Sequence, residues 1–537
     1  KTSLTERLLF DAGVIDAIGS VDDGSTQTDS MELERRRGIT IRSAVVSFLL
    51  GDRAANLIDT PGHSDFIAEV ERALRVLDAA VLVISAVEGV QAQTRILMRS
   101  LAKLRIPTLL FVNKIDRTGA RYDDLLAAIA DKLTPAAVAM GSVTNLGTRE
   151  ARFVPFTFDD SAFLSRLGET LAGNDDTYLA RYLDGVHGGE RELLVTQTGQ
   201  AQVHPVFFGS AITGEGVADL AEGIRSYLPG QPPAGEEVHG EVFKIERGAA
   251  GERIAYVRLY DGTLAVRDRI TCHRPSGSYD AKVSALRVFD RGRSLRVNRA
   301  TAGQIAMVWG LGEVRIGDQL GRFHEHAEAV SFAPPTLETA VRAVDPADET
   351  LLYVALGKLA EQDPLIRLRT RGREVSVCLY GEVQKEVVKA LLESDFGVSA
   401  EFAETQPIHL ERPVGVGTAL ADIGAEDNLI AAGLGLRIEP LELGSGTQYR
   451  LEVELGALPR AFHTAIEETV RLELLEGRYG WEITDCLVTL THTAYWSPVT
   501  VAGDFRKLTP LVLAEALQQA GTEVHEPIDS FELEIPA

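Results

Sequence analysis

Two short segments carry the residue types that can do chemistry. Asp59-Thr60-Pro61-Gly62-His63 follows the apolar run Ala54 to Ile58 and precedes the amphipathic run Ser64 to Leu77, the setting of a strand, a tight turn and a helix. A carboxylate at a strand end can hold a water on Mg2+, and a glycine after proline lets a backbone N–H approach a terminal phosphate that a side chain would block. A D-x-x-G turn alone is common, so its partners decide its meaning. Asn113-Lys114-Ile115-Asp116 begins 54 residues later, at the end of the apolar run Pro107 to Val112. Its last carboxylate can accept two hydrogen bonds from the N1–H and exocyclic amine of guanine, a pattern adenine cannot supply. The Lys114 stem would lie over the base, and Asn113 would tie loops together. Gly209-Ser210-Ala211, after Val206-Phe207-Phe208, suits a backbone contact to the guanine O6.

Further residues point to the phosphates. Lys1 and Thr2 stand where a loop of the form G-x-x-x-x-G-K-[ST] would end, the lysine on the β- and γ-phosphates and the hydroxyl on Mg2+, with Ser3 to Leu9 reading as a helix already under way behind them. Residues Asp22 to Glu34 are polar and turn-rich, and run into Arg35-Arg36-Arg37-Gly38-Ile39-Thr40-Ile41. A mobile loop with one threonine hydroxyl suits a switch that orders when a γ-phosphate and metal are present. Thr40 is the candidate sensor, and the arginines read as a solvated charged loop.

These residues need a scaffold. Ala79 to Ala86 and Pro107 to Val112 are continuous apolar runs alternating with amphipathic helices over Gln91 to Leu104 and Tyr122 to Leu133, which predicts a parallel sheet covered on both faces. Ligands of such sheets bind beyond the carboxyl ends of the strands, where Asp59 and Asn113 lie. Thr134 to Val203 reads as an irregular insertion with short helices such as Thr177 to Leu183, so a nucleotide domain would span 1–232. After the helix Val217 to Leu228, the linker Pro229-Gly230-Gln231-Pro232-Pro233 gives way to a period of two, with Asp261-Gly262 between alternating runs as a hairpin signal. Residues 236–332 are expected to form a β-barrel, ended by Ala333-Pro334-Pro335. Two α+β domains of split βαβ type follow, over 336–408 and 409–527, and 528–537 opens a further unit with a strand over Phe531 to Glu534.

Composition sets bounds on partners. The net charge of −24, from 54 basic against 78 acidic residues, argues against nonspecific nucleic-acid binding, so no DNA partner is expected and any RNA contact is local. Cys272, Cys378 and Cys486 are too dispersed for a disulfide framework or zinc site and read as reduced core residues. No apolar run reaches the roughly 20 residues of a membrane helix. A cytoplasmic protein with no membrane partner is the expectation.

Together, the motifs at Arg37 to Ile41, Asp59 to His63, Asn113 to Asp116, Gly209 to Ala211 and Tyr495-Trp496-Ser497-Pro498-Val499-Thr500 resemble those of translational GTPases of the elongation factor G type, and within them the tetracycline-resistance ribosomal protection proteins. The stretches Thr26 to Ser30 and Gly89 to Arg95 share that resemblance. It runs through the whole chain and implies a multidomain α/β, β and α+β architecture: a P-loop GTPase domain lacking its first strand and most of the P-loop, a β-barrel and two ferredoxin-like or split βαβ domains. It implies GTP and Mg2+ as ligands, with Thr2 and Thr40 on the metal, Asp59 through water, Gly62 on the γ-phosphate, and His63 as the catalytic residue that positions the attacking water. Lys1, Thr2, Ser3, Asp59, Thr60, Pro61, Gly62, His63, Asn113, Lys114, Ile115, Asp116, Gly209, Ser210 and Ala211 would line the nucleotide. The implied partner of this monomer is the ribosome: small-subunit RNA at the decoding region, and a large-subunit RNA loop that stimulates hydrolysis. Tyr495, Trp496, Ser497, Pro498 and Val499 would form the drug-release loop, a proline-stiffened wedge with aromatic neighbours. The segments that precede Lys1 and follow the last residue in that family are missing, which implies a fragment inactive by itself. An elongation factor G-like translocase and a non-hydrolysing ribosome-associated binding protein are the alternative readings.

Overall fold

A strand with an unbroken apolar run is stable only where helices cover both faces of its sheet, and Thr108–Asn113, apolar from Leu109 to Val112, is buried along its full length. The computed structural model describes residues 1–20, 25–26, 31–185, 188–230, 235–248, 250–274, 277–324, 332, 334–371, 374–425, 428–454 and 456–528. In it, Ala80–Ser85, Thr108–Asn113, His204–Phe208 and Ala137–Ala139 form a parallel sheet in that spatial order. Leu109, Leu110, Phe111 and Ile115 are fully enclosed, and each such side chain contributes about 2 kcal/mol through burial. The helices Thr2–Asp11, Ala92–Lys103, Asp123–Lys132 and Val217–Tyr227 share this core. Gln27 to Ser30, residues 231–233, Ala333 and Phe531 to Glu534, which bear on the expected loop, linkers and final strand, lie outside the described residues.

Four expectations for the nucleotide domain change. The strand Arg53–Asp59 pairs antiparallel with Ala44–Leu50 in a separate two-stranded sheet, so Asp59 reaches the site from a ribbon rather than from a member of the parallel sheet. Phe48 joins that ribbon to the main core. The expected helix from Ser64 begins as one 3-10 turn, Ser64–Phe66, and continues as an α-helix over Ile67–Leu74. The arginines are not in a loop: Glu32–Arg37 is a short helix ended by Gly38 in the left-handed region at φ 63°. The stretch 134–203 is largely ordered, with helices Ser161–Ala172, Asp176–Leu183 and Glu190–Gly199 and an edge strand of the parallel sheet at Ala137–Ala139. Asp160 and Asp175 cap the first two of those helices, and Phe163, Leu167, Leu171 and Leu194 enter the main core.

Beyond residue 235 an antiparallel sheet of eight strands wraps one apolar core that includes Val242, Val257, Leu286 and Val308, accompanied by the pair Thr263–Ala265 and Arg299–Thr301. Asp261-Gly262 is a corner, not a hairpin turn. Arg253–Asp261 pairs with His239–Arg247 and Ile305–Trp309, while Thr263–Ala265 pairs with Arg299–Thr301. Gly262 sits at φ 70°, and a Cβ there would lie 2.6 Å from the Val238 nitrogen, so the close approach of two backbones explains the glycine. Val76, Val45 and Ile58 pack on Phe243, Ile254 and Tyr256 of the larger sheet, and Gly292 N–H donates to Ser47 O at 2.8 Å.

The chain divides into two compact units. The first holds everything above together with the helices Glu349–Gln362 and Glu382–Phe396. The second holds Pro335–Val344, Leu368–Leu379 and the chain from Ala400 onward. In it one antiparallel sheet runs Leu368–Arg371, Glu374–Leu379, Leu337–Ala343, Ala400–Phe402. A second sheet runs Gly417–Ala421, Ala432–Pro440, Cys486–Tyr495, Thr447–Leu451, and its last pair is parallel because the helix Arg460–Glu473 carries the chain across between them. That helix and Ala502–Ala520 close the core through Ile466, Val470, Phe505 and Leu513. All three cysteines are buried and reduced, as expected.

Candidate functional site

Helix geometry brings Lys1, Thr2 and Thr5 to one end of Thr2–Asp11, where the first amides of the helix and its dipole favour an anion. The Lys1 ammonium donates to Pro61 O at 3.5 Å. A Cβ on Gly62 would lie 3.6 Å from the Lys1 Nζ, in ordinary van der Waals contact, so the ammonium rests directly against the turn. Desolvation lowers the Lys1 pKa below the ordinary lysine value, and Asp59 acts in the opposite direction. Thr2 and Thr40 hydroxyls meet at 2.9 Å and are both buried, while Thr5 donates to the Asp59 carboxylate at 3.1 Å. Two hydroxyls and one carboxylate form an all-oxygen set that fits Mg2+, a hard cation that keeps waters and phosphate oxygens in its shell. Among the described residues there is no cluster of three or more His, Cys, Asp and Glu side chains fit to hold a metal, so an all-protein cage is not built here.

Thr40 is held by a residue that the sequence did not single out. Glu34 is buried and accepts from Ile41 N at 2.9 Å, Arg42 N at 3.0 Å and Met31 N at 2.9 Å, which fixes the backbone on both sides of the short helix. The signal was legible: a glutamate at the third position of a helix is a capping residue. His63 lies in the turn after Gly62, where its Nδ1 accepts from Asp65 N at 3.2 Å and lies 3.3 Å from the Asp65 carboxylate.

Around the second motif, Asn113 accepts at Oδ1 from its neighbour Lys114 N at 2.8 Å and from Ala211 N at 2.9 Å, so it ties the two base loops together. Ile115 N donates to Gly209 O at 3.3 Å. Gly209 admits no side chain, since a Cβ would stand 2.4 Å from Glu215 O. Ser210 is fully buried. Lys114, at φ 71°, donates to Glu88 at 2.9 Å, and that hydrogen bond holds Glu88 below the usual carboxylate range. Arg7 donates to Ala211 O at 3.2 Å and Ile212 O at 2.7 Å, and so joins the first helix to the base loop. A cavity of about 250 Å³ opens beside Asn113 and Lys114, lined also by Lys1, Ser85, Gly89 and Thr94. The structure thus brings Lys1, Thr2, Thr40, Asp59 and Gly62 together, and joins Asn113 and Ile115 to Gly209 and Ala211.

Tyr495 to Val499 lie in the second unit. Tyr495 ends its strand with its ring against Phe462 at 5.8 Å, and Trp496 and Val499 are 51% and 62% exposed. Thr500, missed as a scaffold residue, closes the loop: its hydroxyl accepts from Trp496 N at 2.8 Å and donates to Ala431 O, and its amide donates to Trp496 O at 2.8 Å. The Trp496 ring lies over Gly424, where a Cβ would come within 3.3 Å.

Residues 1–230 match the elongation factor Tu GTP binding domain family, residues 237–323 elongation factor G domain 2 and residues 426–521 elongation factor G domain IV. The "Oxytetracycline resistance protein" of Streptomyces rimosus is 52% identical over 557 residues, covering 100% of this chain and 84% of that protein. The chain belongs to the tetracycline-resistance ribosomal protection proteins. Other relatives of this family are the "Tetracycline resistance protein TetM" of Streptomyces lividans, at 48% over 100% of this chain and 85% of its own, and the "Tetracycline resistance protein TetP" of Clostridium perfringens, at 40% over 100% and 83%. A crystal structure of a Thermus thermophilus protein superposes with a TM-score of 0.65 at 24% identity, covering 97% of this chain and 83% of that one, which shows a shared fold. This member of the family therefore carries a GTP-binding domain of translation-factor type, and no helix among its described residues is long and apolar enough to cross a membrane.

Proposed function

We propose that this chain binds the ribosome in its GTP form, releases tetracycline from the small subunit, and leaves after ribosome-stimulated hydrolysis, thereby conferring resistance. The observation that carries this reading is the buried contact between Thr2 and Thr40: a hydroxyl of the first helix and one from the segment after Arg37 meet beside Asp59, the arrangement a nucleotide-sensing switch needs.

In this reading Lys1 pairs with the β- and γ-phosphates, Ser3 lies in the helical turn that faces them, and Thr60, Pro61 and Gly62 bring backbone to the γ-phosphate. Thr2 and Thr40 would hold Mg2+, with Asp59 acting through a water. The bound ion supplies positive charge to the phosphate oxygens. Asp116 selects guanine, with Asn113, Lys114 and Ile115 and the Gly209-Ser210-Ala211 backbone framing the base. His63 orients the attacking water when the large-subunit RNA loop docks. Tyr495, Trp496, Ser497, Pro498 and Val499 enter the drug site on small-subunit RNA. The protein acts as a monomer in the cytoplasm, and its domains are taken as 1–232, 236–332, 336–408 and 409–527, with the tip loop at 495–500.

Expressing the gene in a tetracycline-sensitive host tests the assignment. Raised tolerance is expected. Unchanged tolerance, together with rescue of peptide synthesis after elongation factor G depletion, would instead establish a translocase.

A further inference from the structure

We propose that Asp65 is a positioning residue that makes the orientation of His63 depend on the docking of the helix Glu382–Phe396. This rests on His63 orienting the attacking water, as proposed above. Asp65 is 6% exposed and its two carboxylate oxygens serve different elements. Oδ1 lies 3.3 Å from the His63 Nδ1. Oδ2 accepts from Val383 N at 3.0 Å and Gln384 N at 3.2 Å, two of the first amides of a 15-residue helix far along the chain. The residue before that helix, Gly381, has no side chain with which to cap it, and a Cβ there would lie 2.4 Å from the Asp65 Oδ2. The glycine makes room for a cap supplied from 316 residues away.

The consequence for the imidazole follows from its two tautomers. With the proton on Nε2, Nδ1 accepts from the Asp65 amide at 3.2 Å, and Nε2 has no lone pair for a water proton. With the proton on Nδ1, the ring donates to the Asp65 carboxylate, and Nε2 is left as an acceptor. The Asp65 amide supports the first arrangement and a carboxylate pinned 3.3 Å from Nδ1 by two helix amides supports the second, so the pinned carboxylate shifts the ring toward an Nε2 acceptor. One that has lost them can turn away. A second link ties the same helix to the switch: Arg37, just before Gly38 and Thr40, pairs with Glu386. Docking of one helix thus bears on both segments that read the γ-phosphate.

The test is single-turnover GTP hydrolysis on ribosomes with the full chain, alongside GTP affinity, which reports that each variant folds. Asp65→Asn keeps an oxygen for the helix amides but loses the charge facing Nδ1. It is expected to slow stimulated hydrolysis about 10- to 100-fold with GTP affinity unchanged. Gly381→Ala, which displaces the helix from the carboxylate, is expected to act in the same direction. Neither change should slow hydrolysis further in a His63→Ala background, because residues acting as one unit are not additive. Wild-type rates in Asp65→Asn, or an undiminished loss in the His63→Ala background, would overturn the proposal. Intact stimulated turnover in His63→Ala alone would overturn the underlying reading of the site as well.

Discussion

The nucleotide site and the tip loop are built by opposite means. The first is buried and assembled from distant segments: Thr2 meets Thr40, Thr5 meets Asp59, and Asn113 meets Ala211. The second is exposed and closes at the ends of two paired strands, with Thr500 bonded to Trp496, four residues away, and to Ala431, which precedes the strand paired with Tyr495. A site that must exclude water and read one phosphate needs convergence from several elements. A loop with the role proposed above, reaching into another molecule, needs exposure and a stiff base. The two regions should therefore fail separately, and the comparison breaks if they do not.

The largest effect is expected at His63. His63→Ala should reduce ribosome-stimulated turnover by about a thousandfold, the scale of a lost proton-positioning group, while GTP affinity measured by equilibrium binding is retained. Unaltered turnover would remove His63 from the mechanism. Deleting Ser497-Pro498-Val499 tests the other side of the comparison: tolerance should fall to that of the sensitive host while stimulated hydrolysis persists. Loss of both would mean that the tip is needed for docking itself, and the separation of the two regions would be wrong.

A smaller effect is expected in the base loops. Asp116→Asn replaces an acceptor for the guanine N1–H with a group that can donate, and should reduce the preference for GTP over xanthosine triphosphate by about 100-fold in competition binding. Unchanged selectivity would argue that the base is read elsewhere. Turnover at saturating nucleotide should change far less than selectivity, since the base is remote from the bond that breaks.

The same contrast explains what the sequence made legible. Asp59, Gly62, Asn113, Asp116 and Tyr495 to Val499 stand out in the sequence because short motifs encode local backbone chemistry, and the apolar runs Ala79 to Ala86 and Pro107 to Val112 predicted two strands of the parallel sheet. The ribbon pairing of Asp59's strand was missed because strand partners are non-local and the apolar pattern does not name them. Asp261-Gly262 misled for a related reason: the dipeptide encodes a positive φ, and both a hairpin and a corner use one. Glu34 and Asp65 escaped notice because each acts by accepting backbone N–H groups, and for Asp65 those donors lie in a helix hundreds of residues away.

The smallest expected effect sharpens the comparison most. Thr500→Val keeps the volume and β-branching of the side chain but removes the hydroxyl that links Trp496 N to Ala431 O, leaving one donor and one acceptor unserved. Because Trp496 N and the loop around it are partly open to water, the cost to the loop should be about 1 kcal/mol rather than the larger penalty of a buried unpaired group. Global stability should hardly change, since Phe505, Ile466 and Leu513 close the core beneath independently of Thr500. If a stiff base is what makes the loop effective, tolerance should drop severalfold with stimulated hydrolysis intact, and the Trp496 fluorescence anisotropy should fall as the ring gains freedom over Gly424. A loosened ring with undiminished tolerance would show that exposure alone is sufficient and that the wedge need not be rigid.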